Sequence, residues 1–333
     1  MTFGRSTPDA PRRAPAGRRD AADALDGVLV VDKPAGPTSH DVVARVRRAL
    51  RLRRVGHTGT LDPPATGVLP LVLGRATRLS RYFTGADKGY EAVIRLGLAT
   101  DTYDAGGAPL PPPGDRPVSE ITREEIAEAL EAFRGTFEQT PPPYSAKKIG
   151  GVRAYRLARR QEAATPEPVR VTVSRLEIAA FEDTRLELVV EASAGFYVRS
   201  LAHDLGVRLG CGAHLESLRR VRSGEFRLDQ AVPLEALEAR PELARERLVP
   251  IDRLLTRFPG VVLNEVGVRR AAHGNVIRYG DVARLLPSEG PLPGETRWPA
   301  VGSSVRLFDP SGALVAIAET RAGRFLHPVV VLV

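Results

Sequence analysis

Apolar positions fall along this chain in short blocks divided by glycine and proline, and the spacing inside each block predicts its element. Gly27-Val28-Leu29-Val30-Val31-Asp32-Lys33-Pro34 is a brief apolar run closed by proline, which predicts a strand. Thr38-Ser39-His40-Asp41 follows as a helix N-cap sequence. Val42, Val43, Val46, Ala49 and Leu50 then mark one apolar face, with Arg45, Arg47 and Arg48 away from it. Residues 89 to 97, 169 to 180 and 185 to 193 alternate with period two and predict further strands. Thr122 with Glu125 forms a capping box before Ile126, Ala129, Leu130 and Phe133, with Gly135 as the stop signal. Another helix is expected to follow Arg199 and end at Gly210. Helices interrupt clusters of strands without a regular βαβ repeat, so the expected class is α+β: a mixed, largely antiparallel sheet flanked by helices.

Beyond Asp252 the pattern changes to short strands separated by glycine, at 269 to 280, 304 to 308, 314 to 319 and 325 to 333. A small β-barrel of about 75 residues is the economical reading. The chain therefore divides into a large domain, 26 to 254, and a small one, 258 to 333, with the boundary near 253 to 260. Residues 1 to 25 mix Arg, Pro, Ala, Asp and Gly with no apolar period, which predicts a disordered basic tail carrying five arginines. Residues 105 to 117 and 139 to 168 read as irregular. The second stretch is too long for a plain connector. Its Lys147, Lys148, Arg153, Arg156, Arg159 and Arg160 suggest a basic flap that closes on a polyanion, the alternative being a solvated charged loop.

Composition narrows the partner. The formal charge is +8 over 333 residues, and the only lysines are Lys33, Lys88, Lys147 and Lys148. Arginine adds bidentate phosphate contacts and base stacking to the counterion release that drives polyanion binding, so RNA or DNA is the natural partner. A GC-rich source would explain the choice of arginine better than the net sign. No apolar run approaches the roughly 18 to 20 residues of a membrane span, and the N-terminus lacks a signal-peptide core, so a cytoplasmic protein is expected. Cys211 is the single cysteine, and His203 and His214 have no ligand spacing. Neither a metal nor a cofactor is expected.

The run Gly56-His57-Thr58-Gly59-Thr60-Leu61-Asp62-Pro63 carries the candidate chemistry. Gly56, Gly59 and Gly67 permit tight turns and close approach of a bound group, and Pro63 and Pro64 stiffen the loop. An aspartate held there suits a nucleophile or a base, since an ordinary carboxyl is ionised at pH 7. It equally suits an Asx turn that only stabilises the loop.

The 15 residues from Gly56 to Pro70, Gly-His-Thr-Gly-Thr-Leu-Asp-Pro-Pro-Ala-Thr-Gly-Val-Leu-Pro, resemble the catalytic motif of the TruB family, which isomerises the T-loop uridine at tRNA position 55. The likeness continues in order through Asp32-Lys33-Pro34-Ala35-Gly36, Asp87-Lys88-Gly89-Tyr90, residues 96 to 104, Pro141 to Ala146, Gly195-Phe196-Tyr197-Val198-Arg199-Ser200, Gly210 to Leu215 and Leu218-Arg219-Arg220. It covers residues 27 to about 250, and Thr60 stands where other members carry a smaller residue. The resemblance implies a pseudouridine synthase fold, with the C-terminal unit similar to a PUA-type RNA-binding module by position and length. It implies Asp62 as the catalytic group, Tyr90 stacking on the flipped uracil, Arg199 pairing with the carboxylate, and Tyr197 and Leu218 lining the uracil pocket. His57 would enter the T loop beside the departing base, and Lys147, Lys148 and Arg153 would meet the RNA backbone. Asp32 and Lys33 read as structural. The implied partner is the tRNA T stem-loop, bound by a monomer. The rivals are a guide-RNA-dependent synthase, which shares the Asp motif, a tRNA-folding chaperone without chemistry, and a base-excising glycosidase, which would release free uracil.

Overall fold

The computed structural model describes residues 25–145, 148–149, 152–153, 166–286 and 298–333. All of the predicted tail except Leu25, and most of the 139 to 168 flap, lie outside these residues.

Gly27–Lys33 and Thr66–Leu73 pair antiparallel, Val28 opposite Val72 and Leu29 opposite Leu71. Both read as almost unbroken apolar runs because each is covered on two faces. Leu29, Val31, Leu69 and Leu71 pack towards the helix Ser39–Ala49, while Val28, Val30, Val68 and Val72 pack on the opposite side. The main sheet runs Val232–Pro233, Gly27–Lys33, Thr66–Leu73, Ala213–Ser223, Lys88–Leu96, Arg185–Ala192, Val169–Glu182, Gly135–Gln139. Two neighbouring pairs are parallel, Gly27–Lys33 with Val232–Pro233 and Thr66–Leu73 with Ala213–Ser223; the rest are antiparallel. The second parallel contact, Arg219 opposite Thr66 and Arg220 opposite Gly67, joins two antiparallel halves, each with its own apolar core. Leu218 packs against both cores.

Thr38 caps the first helix, its hydroxyl accepting from the Asp41 N–H while the Asp41 carboxylate accepts from the Thr38 N–H, and Thr122 and Glu125 repeat the device. The helix Val198–Leu209 lies under the second half and ends at Gly210, whose φ of 76° is the left-handed cap that glycine tolerates. The Thr122-capped helix stops at Glu131, short of the predicted stop; Gly135 instead opens the strand Gly135–Gln139.

A second sheet holds Val282–Leu286, Gly260–Leu263, Ser304–Phe308, Leu314–Arg321 and Phe325–Val331 in that order, among the described residues. It packs on the main sheet, where Phe308, Leu314, Ile317 and Leu332 join Val28, Val30, Val68 and Val72 in one apolar cluster. The strand expected at 269 to 280 is not formed. Those residues begin inside the helix Glu265–Ala272, where Asn264 caps by accepting from the Gly267 N–H and Gly267 and Ala271 are buried. The buried positions lie four apart, a helical spacing that outweighs the apparent alternation. The strands Gly260–Leu263 and Val282–Leu286 on either side escaped the sequence reading.

Candidate active site

Asp62 sits in a turn closed by the Ala65 N–H on the Asp62 carbonyl, 3.1 Å, and three elements grip that turn from below. Ser39 at the helix start donates to the Leu61 carbonyl and accepts from the Leu61 N–H, 3.2 and 2.9 Å. Gly36 donates to the Pro63 carbonyl, 2.8 Å. Lys33, fully buried, places its Nζ on the carbonyls of Pro34, Pro63 and Ala65 at 2.9, 2.9 and 2.7 Å. Burial holds this ammonium down to about 8, with the charge of Asp62 opposing the shift. The structural reading of Lys33 is thus correct in kind, and its target is the Asp62 turn.

The same loop is held from the other side by Arg220, the largest fully buried side chain among the described residues. Its Nε donates to the Val68 carbonyl at 2.7 Å and its two terminal nitrogens to Gly59 and Thr60 at 3.1 and 3.3 Å. Thr66–Leu73 and Ala213–Ser223 meet without a side chain between them because Gly67 has none: a Cβ there would lie 2.2 Å from the Arg220 carbonyl oxygen. Arg220 also meets the Tyr90 hydroxyl.

Among the described residues, no backbone N–H donates to the Asp62 carboxylate; its partner is Arg199. The Asx-turn alternative therefore fails. Asp62 Oδ2 is 3.0 Å from Arg199 Nε, and since that N–H is not aimed at the oxygen, the contact is an ion pair rather than an aligned hydrogen bond. Asp62 keeps 39% of its side chain exposed while Arg199 keeps 7%, so the carboxylate remains free to meet a ligand. Arg199 is fixed by the Thr102 and Tyr144 carbonyls at 3.1 and 3.0 Å and by Asp104 Oδ2 at 3.5 Å.

Asp62, Tyr90, Tyr197, Arg199 and Leu218 line one cavity of about 370 Å³, with Lys88 and Arg220 beside them. This volume suits a small-molecule or nucleobase ligand. Burial raises the phenols of Tyr90 and Tyr197, so both are neutral, the Tyr90 oxygen accepting from Arg220. Tyr197 caps the helix Val198–Leu209 and is held through its backbone, which exchanges hydrogen bonds of 2.8 and 3.0 Å with the Gln139 amide. Lys88 donates to the carbonyls of Thr84 and Ala86, and burial lowers it to about 8.

His57 is absent from the cavity wall. It ends the strand Val55–His57 and meets His40 edge-on, ring centroids 5.2 Å apart, with its buried Nδ1 unpartnered. Burial lowers its pKa, so the ring is neutral. Lys147 lies outside the described residues, and Lys148 and Arg153 are described only as opposite partners in a two-residue hairpin pairing. Among the described residues no cluster of His, Cys, Asp or Glu could hold a metal ion. Sequence reasoning gave no role to Arg220, Lys88 or Asp104, although each stands in a segment that carried the resemblance; the doublet Arg219-Arg220 on a strand was the available signal.

Residues 47–198 match the family model described as TruB family pseudouridylate synthase (N terminal domain), and residues 199–256 match the tRNA pseudouridylate synthase B C-terminal domain. The tRNA pseudouridine synthase B of Solibacter usitatus is 44% identical over 310 residues, covering 92% of this chain and 100% of that protein. That of Opitutus terrae is 48% identical over 228 residues, 68% of this chain and 93% of its own. Among solved structures, a Cbf5-Nop10-Gar1 complex superposes with a TM-score of 0.70 at 26% identity, covering 95% of this chain and 88% of that one. The fold, a mixed sheet flanked by helices with a separate C-terminal sheet, is the pseudouridine synthase fold. On these matches across residues 47–256, the chain belongs to the TruB family of pseudouridylate synthases.

Proposed function

We propose that this enzyme converts uridine to pseudouridine at position 55 in the T loop of tRNA. The observation that carries the reading is Asp62, a carboxylate that takes no backbone hydrogen bond among the described residues and is paired to a buried arginine at a cavity walled by Tyr90, Tyr197 and Leu218. The reaction breaks the C1′–N1 bond, turns the uracil in place, joins C1′ to C5, and moves the C5 proton off as N1 gains one. Apart from that proton nothing leaves the site, so the cavity must hold the detached ring. Tyr90 stacks on it, Tyr197 and Leu218 wall it, and Asp62 is the catalytic group, kept in position by Arg199. Flipping the base costs a few kcal/mol, and aromatic stacking returns about 1 to 3 kcal/mol of it.

His57, outside the cavity wall, fills the place the uridine vacates in the T loop. The basic segment 139 to 168, with Lys147, Lys148 and Arg153, closes on the RNA backbone. Residues 26 to 254 form the catalytic domain, 258 to 333 a PUA-like RNA-binding unit, and the protein works as a monomer in the cytoplasm. No helix among the described residues is long and apolar enough to cross a membrane.

The test is a T-arm stem-loop tritiated at uracil C5. Wild-type enzyme alone should release tritium without guide RNA or partner protein, and Asp62→Ala should bind the RNA yet release none. Release that persists in Asp62→Ala sinks the catalytic assignment, and a requirement for a guide RNA favours the guide-dependent rival. Binding should weaken steeply with salt, as phosphate contacts demand.

A further inference from the structure

The loop that steadies Arg199 contains a residue in the wrong backbone region for its type. Tyr103 has φ of 64°, a left-handed conformation that strains an L-residue with a Cβ and that glycine accepts freely. Strain of this kind persists only where surrounding contacts over-determine it. Here the tyrosine ring lies flat on His203, centroids 3.8 Å apart and planes 9° from parallel. His203 stands one helical turn after Arg199 on Val198–Leu209, and side chains four apart share a helix face.

The loop therefore grips this helix at two successive turns. At the first, the Thr102 carbonyl and Asp104 Oδ2 meet the Arg199 guanidinium. At the second, Tyr103, the residue between them, meets His203. Asp104 is itself fixed: its Oδ1 accepts from the Thr102 hydroxyl at 2.7 Å and the Gly106 N–H at 3.0 Å. Backbone bonds from Leu215 to the Tyr103 carbonyl and from Ala105 to the Leu215 carbonyl, both 3.0 Å, tie the loop to the central strand. Among the described residues, the ring stack ties it to the helix beyond Arg199, with the Asp204 carboxyl of the same helix near the phenol. Burial lowers His203, whose Nδ1 has no hydrogen-bond partner among the described residues, so a neutral imidazole faces the phenol.

We infer that Tyr103 and His203 are positioning residues of the isomerisation: their stack fixes the loop that aims the Arg199 guanidinium at Asp62. The inference rests on the reaction proposed above for its activity readout. The geometry alone supplies a second readout.

The decisive variant is Tyr103→Gly, which suits the left-handed backbone and removes only the ring. A tyrosine that merely packs would leave an active enzyme when replaced this way. The expected result is a single-turnover rate on the tritiated T arm reduced about tenfold, the scale on which small displacements of a catalytic group act, with the RNA dissociation constant within about twofold of wild type. His203→Ala should match it, and Tyr103→Phe, which keeps the stack, should retain the wild-type rate. The second readout is the Arg199 Nε–H NMR resonance, assigned by its absence in Arg199→Lys; it should be sharp in wild type and Tyr103→Phe and broadened in Tyr103→Gly. A wild-type rate in Tyr103→Gly, a loss confined to RNA binding, or an equal loss in Tyr103→Phe overturns the inference. Should wild-type enzyme release no tritium, the reaction assignment fails, and the resonance alone decides the latch: an unchanged signal in Tyr103→Gly overturns it.

Discussion

The catalytic sheet and the C-terminal sheet use their cations in opposite ways. Around the cavity, Lys33, Lys88, Arg199 and Arg220 are buried and point inward at backbone carbonyls. On the C-terminal side, Arg257 and Arg324 lie over the rings of Phe258 and Tyr279, 5.0 and 5.5 Å from their centres. The second sheet has a core of ordinary apolar residues, Val261, Leu263, Val305, Leu307 and Ala316 among them. Its strands satisfy their own carbonyls, whereas the loop from Gly59 to Ala65 belongs to no ladder and needs donors from side chains. Arg306 fits the same rule, because this buried arginine serves the irregular linker through the Leu254 and Phe258 carbonyls. Buried cations therefore mark where the fold gives up regular structure, in the Asp62 loop and in the linker alike.

Arg220→Leu tests this contrast most severely. It leaves the Gly59, Thr60 and Val68 carbonyls without a donor, and at about 1–3 kcal/mol for each buried unsatisfied group a total loss of about 3–5 kcal/mol is expected in urea unfolding, together with loss of activity. A loss below 1 kcal/mol would mean that water replaces the guanidinium. Gly67→Ala sets a Cβ against the Arg220 carbonyl and should cost about 2–3 kcal/mol through displacement of the central strand, again seen by denaturation.

Asp204 sharpens the comparison through pH. Burial raises its carboxyl from 3.8 to about 6, so between those values the folded protein holds a proton that the unfolded chain has released. Stability should fall as pH rises from about 4 to 6 and stay low above that range. Asp204→Asn should flatten this slope and gain about 1–2 kcal/mol at pH 7, roughly half the full linkage value because the group retains some solvent access. The gain should vanish near pH 4. The smallest effect belongs to the C-terminal surface. Arg324→Ala removes an exposed cation from a ring and should shift stability by no more than about 0.5–1 kcal/mol, leaving the rate on an isolated T arm unchanged.

Much of the catalytic domain was legible because its signals are local. Capping boxes at Thr38 and Thr122, the period-two runs and the stop at Gly210 each produced the expected element. The C-terminal unit was less legible: a strand was read over 269 to 280, whose first residues belong to the helix Glu265–Ala272, and the strands Gly260–Leu263 and Val282–Leu286 were missed. Asp62, Tyr90, Tyr197, Arg199 and Leu218 were named from sequence and meet at one cavity, whereas His57 stands outside its wall.

By itself the sequence determined most of the helices and strands of the catalytic domain, that the chain is basic, and that Asp62 stands in a glycine-rich turn. The tertiary structure decided what that turn rests on. Pairing Thr66–Leu73 with Ala213–Ser223 brings Arg220 beneath a loop some 160 residues earlier in the chain, and the left-handed Tyr103 finds its ring partner on a helix a hundred residues later. Hydrogen bonds and ring stacking act over a few ångströms of space, and local residue order carries no record of which distant segments the sheet will bring within that reach.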